Sequence, residues 1–249
     1  MVGSLKRTYR NTRESFRFYF SVNWIKTIYF NFRMFPVKTA RKLPVFFYGP
    51  VKLCAIRGKI IIKAPIKRAM IGFGQPYEMN TKFQGISELF LNGTFVVKGH
   101  IQFGKDYFIY ISDNAYCEFG HMASLASRGK LICKNKIVFG DYARIGSESQ
   151  VIDTNFHQMI NTQTNEKYPM DGTIKLGNYN FIGNRVSIMQ KTITPNYCTI
   201  ASNTLCNKDY SKLGENILIG GIPAKLLKEN ISRDWLGEQD ILEKYLIIK

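Results

Sequence analysis

The sequence has no paired cysteines, no long apolar run and only three histidines. Its five cysteines are scattered and form no Cys-x-x-Cys pair, which argues against a disulfide framework or a zinc site and favours a reducing compartment. No run of about 18 apolar residues occurs, so no membrane span is expected. The N-terminal residues lack the apolar stretch of a signal peptide, because Arg or Lys recurs throughout them. We therefore expect a cytoplasmic protein without a metal, and its 249 residues are enough for a substantial core.

Acidic residues are scarce in the first 68 positions, which hold sixteen Lys or Arg and a single acid, Glu14. The rest of the chain holds 19 Lys or Arg and 17 acids, so nearly all of the net charge of +17 belongs to the N-terminal part. A localised positive surface favours an anionic partner, such as membrane lipid, nucleic acid or a phosphorylated substrate carrier.

Residues 1–50 are predicted to form a basic, aromatic arm. Within it, residues 13–35 interleave Arg and Lys with Phe, Tyr, Trp and Ile, and Pro36 is expected to end any helix there. Three interpretations stay open. The helix lies on a membrane surface, at the inner face, with its cations on anionic lipid; it packs on its own domain or on a neighbouring subunit; or the arm binds nucleic acid, although no recognition motif accompanies the charge.

A six-residue repeat dominates the second half of the chain, and no long helical periodicity occurs between about residues 53 and 220. In the regular part, residues 131–221, the first column of the repeat is Phe139, Ile145, Val151, Leu176, Ile182, Ile188, Thr194, Ile200 and Cys206. A second column, four positions on, is Ala143, Ser149, Asn180, Val186, Thr192, Cys198 and Thr204. Such a period predicts short strands and turns, three to a coil of about 18 residues, with the first column inside a stacked prism. The fold class is therefore mainly β, and residues 51–221 are predicted to form the β-coil domain.

Residues 153–175 interrupt the repeat and contain His157, the only histidine of the C-terminal half. Polar and turn-forming residues dominate the interruption, and a loop ejected from a repetitive scaffold typically carries function. Residues 222–249 follow the repeat as an exit segment and a short amphipathic C-terminal helix that contains Trp235.

The chain carries the six-residue repeat, hereafter the ladder, an Asp-x-x-x-His loop at 153–157 and a Gly-x-Pro-Ala-Lys exit at 221–225. In these three features taken together, it resembles the hexapeptide-repeat acyltransferases. The resemblance covers roughly residues 85–228 and points to the galactoside, maltose and polysaccharide O-acetyltransferases; residues 1–50 resemble leader segments of some polysaccharide-biosynthesis members more weakly. It implies a left-handed parallel β-helix and a homotrimer with active sites between neighbouring prisms. It also implies acetyl transfer from acetyl-CoA, as co-substrate, to a sugar hydroxyl in surface polysaccharide biosynthesis.

The family's general base corresponds to His157, which would deprotonate the acceptor hydroxyl during its attack on the thioester, without a covalent enzyme intermediate. An imidazole suits this task because its ordinary pKa, near 6.5, leaves it largely neutral at cellular pH. Asp153 matches the acidic position of the loop; it either orients the imidazole or holds an acceptor hydroxyl, and loop aspartates also cap turns. Asn155 is a second candidate for contact with the acceptor.

The resemblance also places the CoA side. Asn184 and Ser202 are separated by one full coil of the repeat, and the amide N–H of Ser202 is expected to stabilise the thioester oxyanion. Lys208 and Lys225 match the basic positions beside the CoA phosphates. Ala201 and Asn203 stand where the family usually has glycine.

Other functions are compatible with parts of this pattern. A zinc-dependent carbonic anhydrase on the same fold needs three converging imidazoles. The three histidines are widely separated along the chain, however, and the first two precede the regular ladder. A non-catalytic scaffold held by its N-terminal arm, or a nucleic-acid binder that uses the same arm, is the remaining alternative.

Overall fold

A computed structural model describes residues 20–75 and 85–247. The chain winds through three sheets in the fixed order sheet 1, sheet 2, sheet 3, and within each sheet the strands are parallel except for the last strand of sheet 1. Sheet 1 contains β1 (Val45–Phe47), β4 (Ile71–Phe73), β7 (Ile101–Phe103), β10 (Ser124–Leu125), β13 (Arg144–Ile145), β16 (Phe181–Ile182), β18 (Cys198–Ile200), β20 (Ile217–Gly220) and β21 (Lys225–Glu229). Sheet 2 contains β2 (Val51–Ile56), β5 (Ser87–Leu91), β8 (Phe108–Ile111), β11 (Lys130–Cys133), β14 (Gln150–Ile152), β17 (Ser187–Met189) and β19 (Leu205–Cys206). Sheet 3 contains β3 (Lys59–Ile62), β6 (Thr94–Val97), β9 (Tyr116–Phe119), β12 (Lys136–Phe139) and β15 (Ile174–Leu176).

Short helices and one 3₁₀ turn accompany these strands. The helices that lie wholly within the described residues are α1 (Trp24–Met34), α2 (Val37–Ala40) and α3 (Trp235–Leu246), and the 3₁₀ turn is at Ser211–Leu213. α1 ends before Pro36, as predicted, and α3 confirms the predicted C-terminal helix with Trp235 as its first residue. No helix in the described ranges is both long and apolar enough to cross a bilayer.

The ladder predicted from the sequence is the interior of the prism. Every residue of the first column is buried, the most exposed being Thr194 at 4%, and every residue of the second column is buried too. The polar members pair with one another: the Thr194 hydroxyl lies 2.5 Å from Asn180 Oδ1 and accepts the amide of Gly177 at 3.1 Å. A hydroxyl in the apolar column is tolerated because its hydrogen bonds are made inside the coil.

The coils before the regular repeat are longer than those within it, apart from the coil that contains the loop at 153–175. Ile182 pairs with Ile200, one coil later, in the register that the repeat predicts. The earlier coils take more residues to return to the same sheet, as the pairs of Leu125 with Ile145 and of Phe103 with Leu125 show. The N-terminal coils also use larger interior residues, and the stacked rings of Phe73 and Phe103 have centroids 4.7 Å apart. The looser register before residue 131 thus reflects longer turns around the same three-sided prism.

The fold class predicted from the sequence, a left-handed parallel β-helix of hexapeptide repeats, is confirmed in its parallel sheets, coil length and buried columns. The strands begin earlier than residue 51, however. β1 lies inside the segment assigned to the arm and is the first strand of sheet 1, with Val45 paired to Ile71. A short apolar run beside a proline carried no periodicity from which this strand could be predicted. Residues 1–19 of the predicted arm lie outside the described residues.

The two ends of the prism are closed differently. At the N-terminal end, α1 packs on β1. At the C-terminal end the chain turns at 221–224 and β21 pairs antiparallel with β20. α3 then returns along the corner between sheets 3 and 1, where Trp235 packs with Met122 and Tyr142.

Candidate active site

The loop that interrupts the ladder leaves the prism at the corner between sheets 2 and 3. It connects β14 to β15, and antiparallel bridges join Thr154 to Asp171 and Ile160 to Lys167. The amide of Asn155 donates to the carbonyl of Met170 at 2.8 Å. The loop is therefore a hairpin-like segment held by its own backbone hydrogen bonds, and it leaves the prism at Asp153.

Asp153 is fully buried at the root of this loop. Its Oδ1 accepts the amide of Lys134 at 2.7 Å and its Oδ2 accepts the amide of Asn135 at 2.9 Å. Burial raises the pKa of the Asp153 carboxyl group, while the hydrogen bonds from these backbone amides act in the opposite direction. Both carboxylate oxygens are engaged by the preceding coil, which corresponds to the turn-capping interpretation of this residue.

His157 lies on the outer part of the loop and is exposed to solvent. The residue before it, Phe156, has a φ of 61° and is 51% exposed, and its ring lies 6.0 Å from Lys134 Nζ. Phe156 and His157 form a bend in the loop backbone, and both side chains are exposed. An exposed imidazole is open to a substrate from solvent.

Asn155 is exposed and lines a groove of about 480 Å³ over the outer face of sheet 2. Ser187, Lys191 and Asn207 also line this groove. Amide, hydroxyl and ammonium groups on one groove are suited to a polar ligand that offers several hydroxyls. The predicted acceptor contact, Asn155, thus lines this groove from the loop that also carries His157.

Asn184 and Ser202 lie at the next corner, between sheets 1 and 2. The one-coil spacing brings them into contact, since the amide of Asn184 donates to Ser202 Oγ at 3.1 Å. Asn184 Oδ1 in turn accepts the amide of Ser147 from the preceding coil at 3.0 Å. A Cβ atom added at Gly183 would lie 2.7 Å from the nitrogen of Ser202, so glycine here is required by the close approach of the coils.

The same corner carries a cluster of charged residues that was not predicted from the sequence. Arg128 and Arg185 both pair with Glu148, at 3.2 and 2.9 Å. The hydrogen bond from Arg185 is the main cause that holds the pKa of Glu148 below its ordinary value. All three side chains are partly exposed. Arg185 directly follows Asn184 in the sequence. This position next to a candidate CoA contact could have identified Arg185 as a residue of the site.

A cleft of about 350 Å³ runs over sheet 1 to this corner and is lined by Asn184, Ala201 and Ser202. Arg233 forms part of its wall, with the guanidinium 5.2 Å from the ring centroid of Phe181 and 4.8 Å from that of Trp235. Arg233 comes from the C-terminal segment, and no pattern in the sequence connects it to the ladder. Only the packing of α3 against the prism brings it to the cleft.

The two predicted lysines lie at different corners. Lys225 is the exposed first residue of β21 and pairs with Gly220, next to the corner of Asn184 and Ser202. Lys208 is exposed at the corner of the His157 loop, with Nζ 5.6 Å from the ring centroid of Tyr210.

The predicted residues therefore form two groups at opposite edges of sheet 2. Asp153, Asn155, His157 and Lys208 are at the edge next to sheet 3, and Asn184, Ser202 and Lys225 are at the edge next to sheet 1. A strand of three to six residues is roughly 10–20 Å long. Within one chain, the length of the sheet 2 strands therefore separates the His157 group from the Ser202 group.

The three histidines do not meet. His100 and His121 lie at the corner between sheets 3 and 1, where the amide of His100 donates to His121 Nδ1 at 3.2 Å, while His157 is at the corner between sheets 2 and 3. Burial lowers the pKa of His100 to about 4. The convergence that the carbonic anhydrase alternative requires is not present within one chain.

No protein-family model matches the chain, and no curated protein is significantly similar to it. Several solved structures resemble it. The polySia-specific acetyltransferase NeuO is 14% identical, with 76% of this chain and 78% of that chain covered and a TM-score of 0.44. The polysialic acid O-acetyltransferase OatWY is 17% identical, with 76% and 89% covered and a TM-score of 0.31. The hexapeptide-repeat acetyltransferase VCA0836 from Vibrio cholerae O1 biovar eltor, solved with acetyl-CoA, is 21% identical, with 45% and 60% covered and a TM-score of 0.39.

Proposed function

We propose that this protein is an O-acetyltransferase that moves the acetyl group of acetyl-CoA to a sugar hydroxyl during surface polysaccharide synthesis. The observation that carries the proposal is the pair of sites that flank sheet 2. One site has the exposed imidazole of His157 above a polar groove, and the other has the stacked corner of Asn184 and Ser202 beside arginine and lysine.

In the proposed reaction, the neutral imidazole of His157 accepts the proton of the sugar hydroxyl as the oxygen attacks the thioester carbonyl. The negative charge that develops on the carbonyl oxygen is stabilised by the N–H of Ser202, a donor that costs no reorganisation during the reaction. The tetrahedral intermediate then expels the CoA sulfur, which takes the proton from the imidazolium. The ester forms, the thiol leaves, and no bond to the protein is made.

The separation of the two groups of residues favours a shared site between subunits. A general base must come within hydrogen-bonding distance, about 2.6–3.2 Å, of the proton that it removes. His157 and Ser202 are at opposite edges of sheet 2 in one chain, so the proposal requires the edge of one prism to face the other edge of its neighbour. Such a heterologous contact closes in a homotrimer when the rotation is threefold.

The remaining residues receive roles that follow from their positions. Lys225 and Arg185 lie beside the corner of Ser202 and are proposed to bind the CoA phosphates, and Lys208 reaches them from the neighbouring chain. Asn155 is proposed to contact the acceptor in the groove over sheet 2. Asp153 is proposed to position the His157 loop rather than to touch the substrate, because both of its carboxylate oxygens are engaged.

The proposal is tested by measuring thiol release from acetyl-CoA against a panel of saccharides. His157→Ala should lower the rate by about 10²–10⁴-fold, the usual contribution of a general base. Its melting temperature should stay at the wild-type value, since the side chain is exposed. Gln163→Ala, at another exposed position of the same loop, is the matched control and should keep full activity. Wild-type rates in the His157 variant would refute the assignment, and a wild-type protein inactive on every acceptor would favour the non-catalytic scaffold.

A further inference from the structure

The outward face of α1 is apolar, although this helix covers an end of the prism. Ile25, Ile28, Tyr29 and Phe32 are 82%, 48%, 53% and 48% exposed. Their spacing of i, i+3, i+4 and i+7 places them on one side of the helix. Val37, at the start of α2, adds a side chain that is 64% exposed. Single exposed apolar residues are ordinary, whereas a contiguous stripe marks an interaction surface.

The face of α1 that is turned to the protein carries the buried residues Thr27, Phe30 and Asn31, and the hydrogen bonds of the two polar ones fix the orientation of the stripe. Asn31 is fully buried; its side-chain amide donates to the carbonyl of Val45 at 2.7 Å, and its Oδ1 accepts the amide of Val45 at 3.1 Å. Thr27 Oγ1 accepts the amide of Phe47 at 3.1 Å. These bonds satisfy backbone groups of the edge strand β1. The helix cannot turn its apolar stripe inward without losing them.

The surroundings of the stripe are positively charged. Residues 20–75 contain no Asp or Glu at all. Arg33, Lys38, Arg41 and Lys42 are exposed around the end of α1 and along α2. A second copy of the same surface would bring like charges together, which disfavours contact between copies. Nucleic acid would use the cations but would leave the isoleucine and phenylalanine side chains without a partner.

We propose that this end of the prism docks on the surface of an anionic lipid bilayer, with α1 lying in the interface. The stripe enters the boundary between headgroups and acyl chains, Tyr29 and Phe32 sit at headgroup depth, and the surrounding cations lie on the lipid phosphates. The docking requires nothing of His157 or Ser202. It adds to the proposed function by bringing the enzyme to the membrane, where a lipid-linked sugar acceptor would be found.

The proposal is tested by co-sedimentation of the full chain with vesicles. One set contains phosphatidylcholine alone, and the other contains about a third phosphatidylglycerol, the anionic component that should attract the cations. The protein should bind the anionic vesicles and bind the neutral ones weakly. Raising the salt from about 0.1 to about 0.5 M should weaken the binding, because it screens the charges.

Two variants separate the contributions of the surface. The double variant Ile28→Asp with Phe32→Asp should lose roughly tenfold or more of its vesicle binding, because it places charge in the apolar stripe. Arg33→Glu with Lys38→Glu should reduce binding to anionic vesicles to the level of neutral ones. Leu236→Asp, at a position of α3 that is 93% exposed, is the matched control and should bind like wild type.

The outcomes that overturn the proposal are distinct. Docking is excluded if wild-type protein stays in solution with anionic vesicles, or if the Ile28/Phe32 variant binds them as wild type does. A change in the oligomeric mass of that variant without a change in vesicle binding would assign the stripe to contact between copies. Retention on RNA that depends on Arg33 and Lys38, in place of vesicle binding, would assign it to nucleic acid. His157→Ala should bind vesicles normally, so a failure of docking and a failure of acetyl transfer remain distinguishable.

Discussion

Asp153 illustrates how a buried carboxylate determines where a repetitive scaffold can be interrupted. It accepts two backbone amides from the preceding coil, and the chain leaves the prism directly after it. Asp153→Ala leaves these amides without acceptors, and each unsatisfied buried group costs about 1–3 kcal/mol. Asp153→Asn keeps one acceptor oxygen and should lose less. Urea denaturation should rank the proteins as wild type, Asn variant and Ala variant.

The control for this prediction is Asp240→Asn on the exposed side of α3, which should not change the unfolding midpoint. If Asp153 only positions the loop, the Asn variant should retain most of its turnover once it is folded. Equal stability of the Ala variant and wild type would show that the two amide contacts do not anchor the loop.

His100 should make the stability of the protein depend on pH. Burial, assisted by the charges of His121 and Lys67 and opposed by Glu243, lowers its pKa to about 4 in the folded state. An unfolded histidine titrates near 6.5. Between these two values the unfolded chain binds a proton that the native protein does not. The free energy of unfolding therefore decreases as the pH falls from about 6.5 to about 4.

His100→Gln should flatten this decrease, as measured by melting temperatures across the same pH range. Gln163→Ala, at an exposed position that carries no titratable group, serves as the control and should retain the wild-type slope. A slope unchanged in the His100 variant would assign the pH dependence to another group.

Residues of the ladder were the most predictable part of the molecule, because each is specified by its neighbours one coil away. The contact between Asn184 and Ser202 followed from their separation by one coil. Arg233 was not predictable, since its place in the cleft depends on a helix that returns from the end of the chain. Long-range packing of this kind leaves no period in the sequence.

Among the elements, α3 has the clearest structural role, since it covers a column of aromatic rings. Tyr142, Tyr179 and Tyr197 stack with centroids 5.1 and 5.0 Å apart. Trp235 meets the first two edge-on, at 6.0 and 5.7 Å. Trp235 is 4% exposed, so almost all of its surface is buried against the corner.

Trp235→Ala should release α3 and lower the free energy of unfolding by about 3–5 kcal/mol, the usual cost of such a truncation. Limited proteolysis should then cleave the chain between β21 and α3 earlier than in wild type. Leu236→Ala, one residue on and 93% exposed, should leave both properties unchanged. A Trp235 variant with wild-type stability would mean that the aromatic column does not hold the helix.

The helix α1 was predicted from its composition, but its orientation was not. In the sequence, basic residues alternate with aromatic and apolar ones, which does not indicate the face that is buried. The structure turns Thr27 and Asn31 inward because the edge strand offers backbone groups that need partners. Which face of a mixed helix is buried depends on the surface that it covers, and that surface is formed by a later part of the chain.

At the scale of the whole molecule, the proposed site between subunits predicts that two inactive chains can restore activity together. His157→Ala removes the base, and Ser202→Trp fills the opposite corner, so each protein alone should be inactive. When equal amounts of the two chains assemble at random into closed trimers, about a quarter of the interfaces combine an intact histidine from one chain with an intact Ser202 corner from its neighbour. Coexpression should therefore restore about a quarter of the wild-type rate of thiol release.

The control is the mixture of separately folded proteins without subunit exchange, which should stay inactive. Light scattering should give the mass of three chains for both variants and for wild type. No recovery in mixed trimers of the correct mass would place the whole reaction within a single chain.

The side-chain amide of Asn31 covers the open edge of the first strand of the prism, where another polypeptide could otherwise add a strand. A solenoid with an open first strand is a template on which another polypeptide can add a rung, and repeated addition gives a fibre. Here a side chain takes the place of that missing rung, by donating to and accepting from Val45. At the far end, β21 reverses direction against β20, so a further parallel turn has no continuation. A further parallel rung of sheet 1 is therefore disfavoured at both ends, by Asn31 at the first strand and by the reversed direction of β21 at the last. The proposed trimer would accordingly form through the sides of the prism.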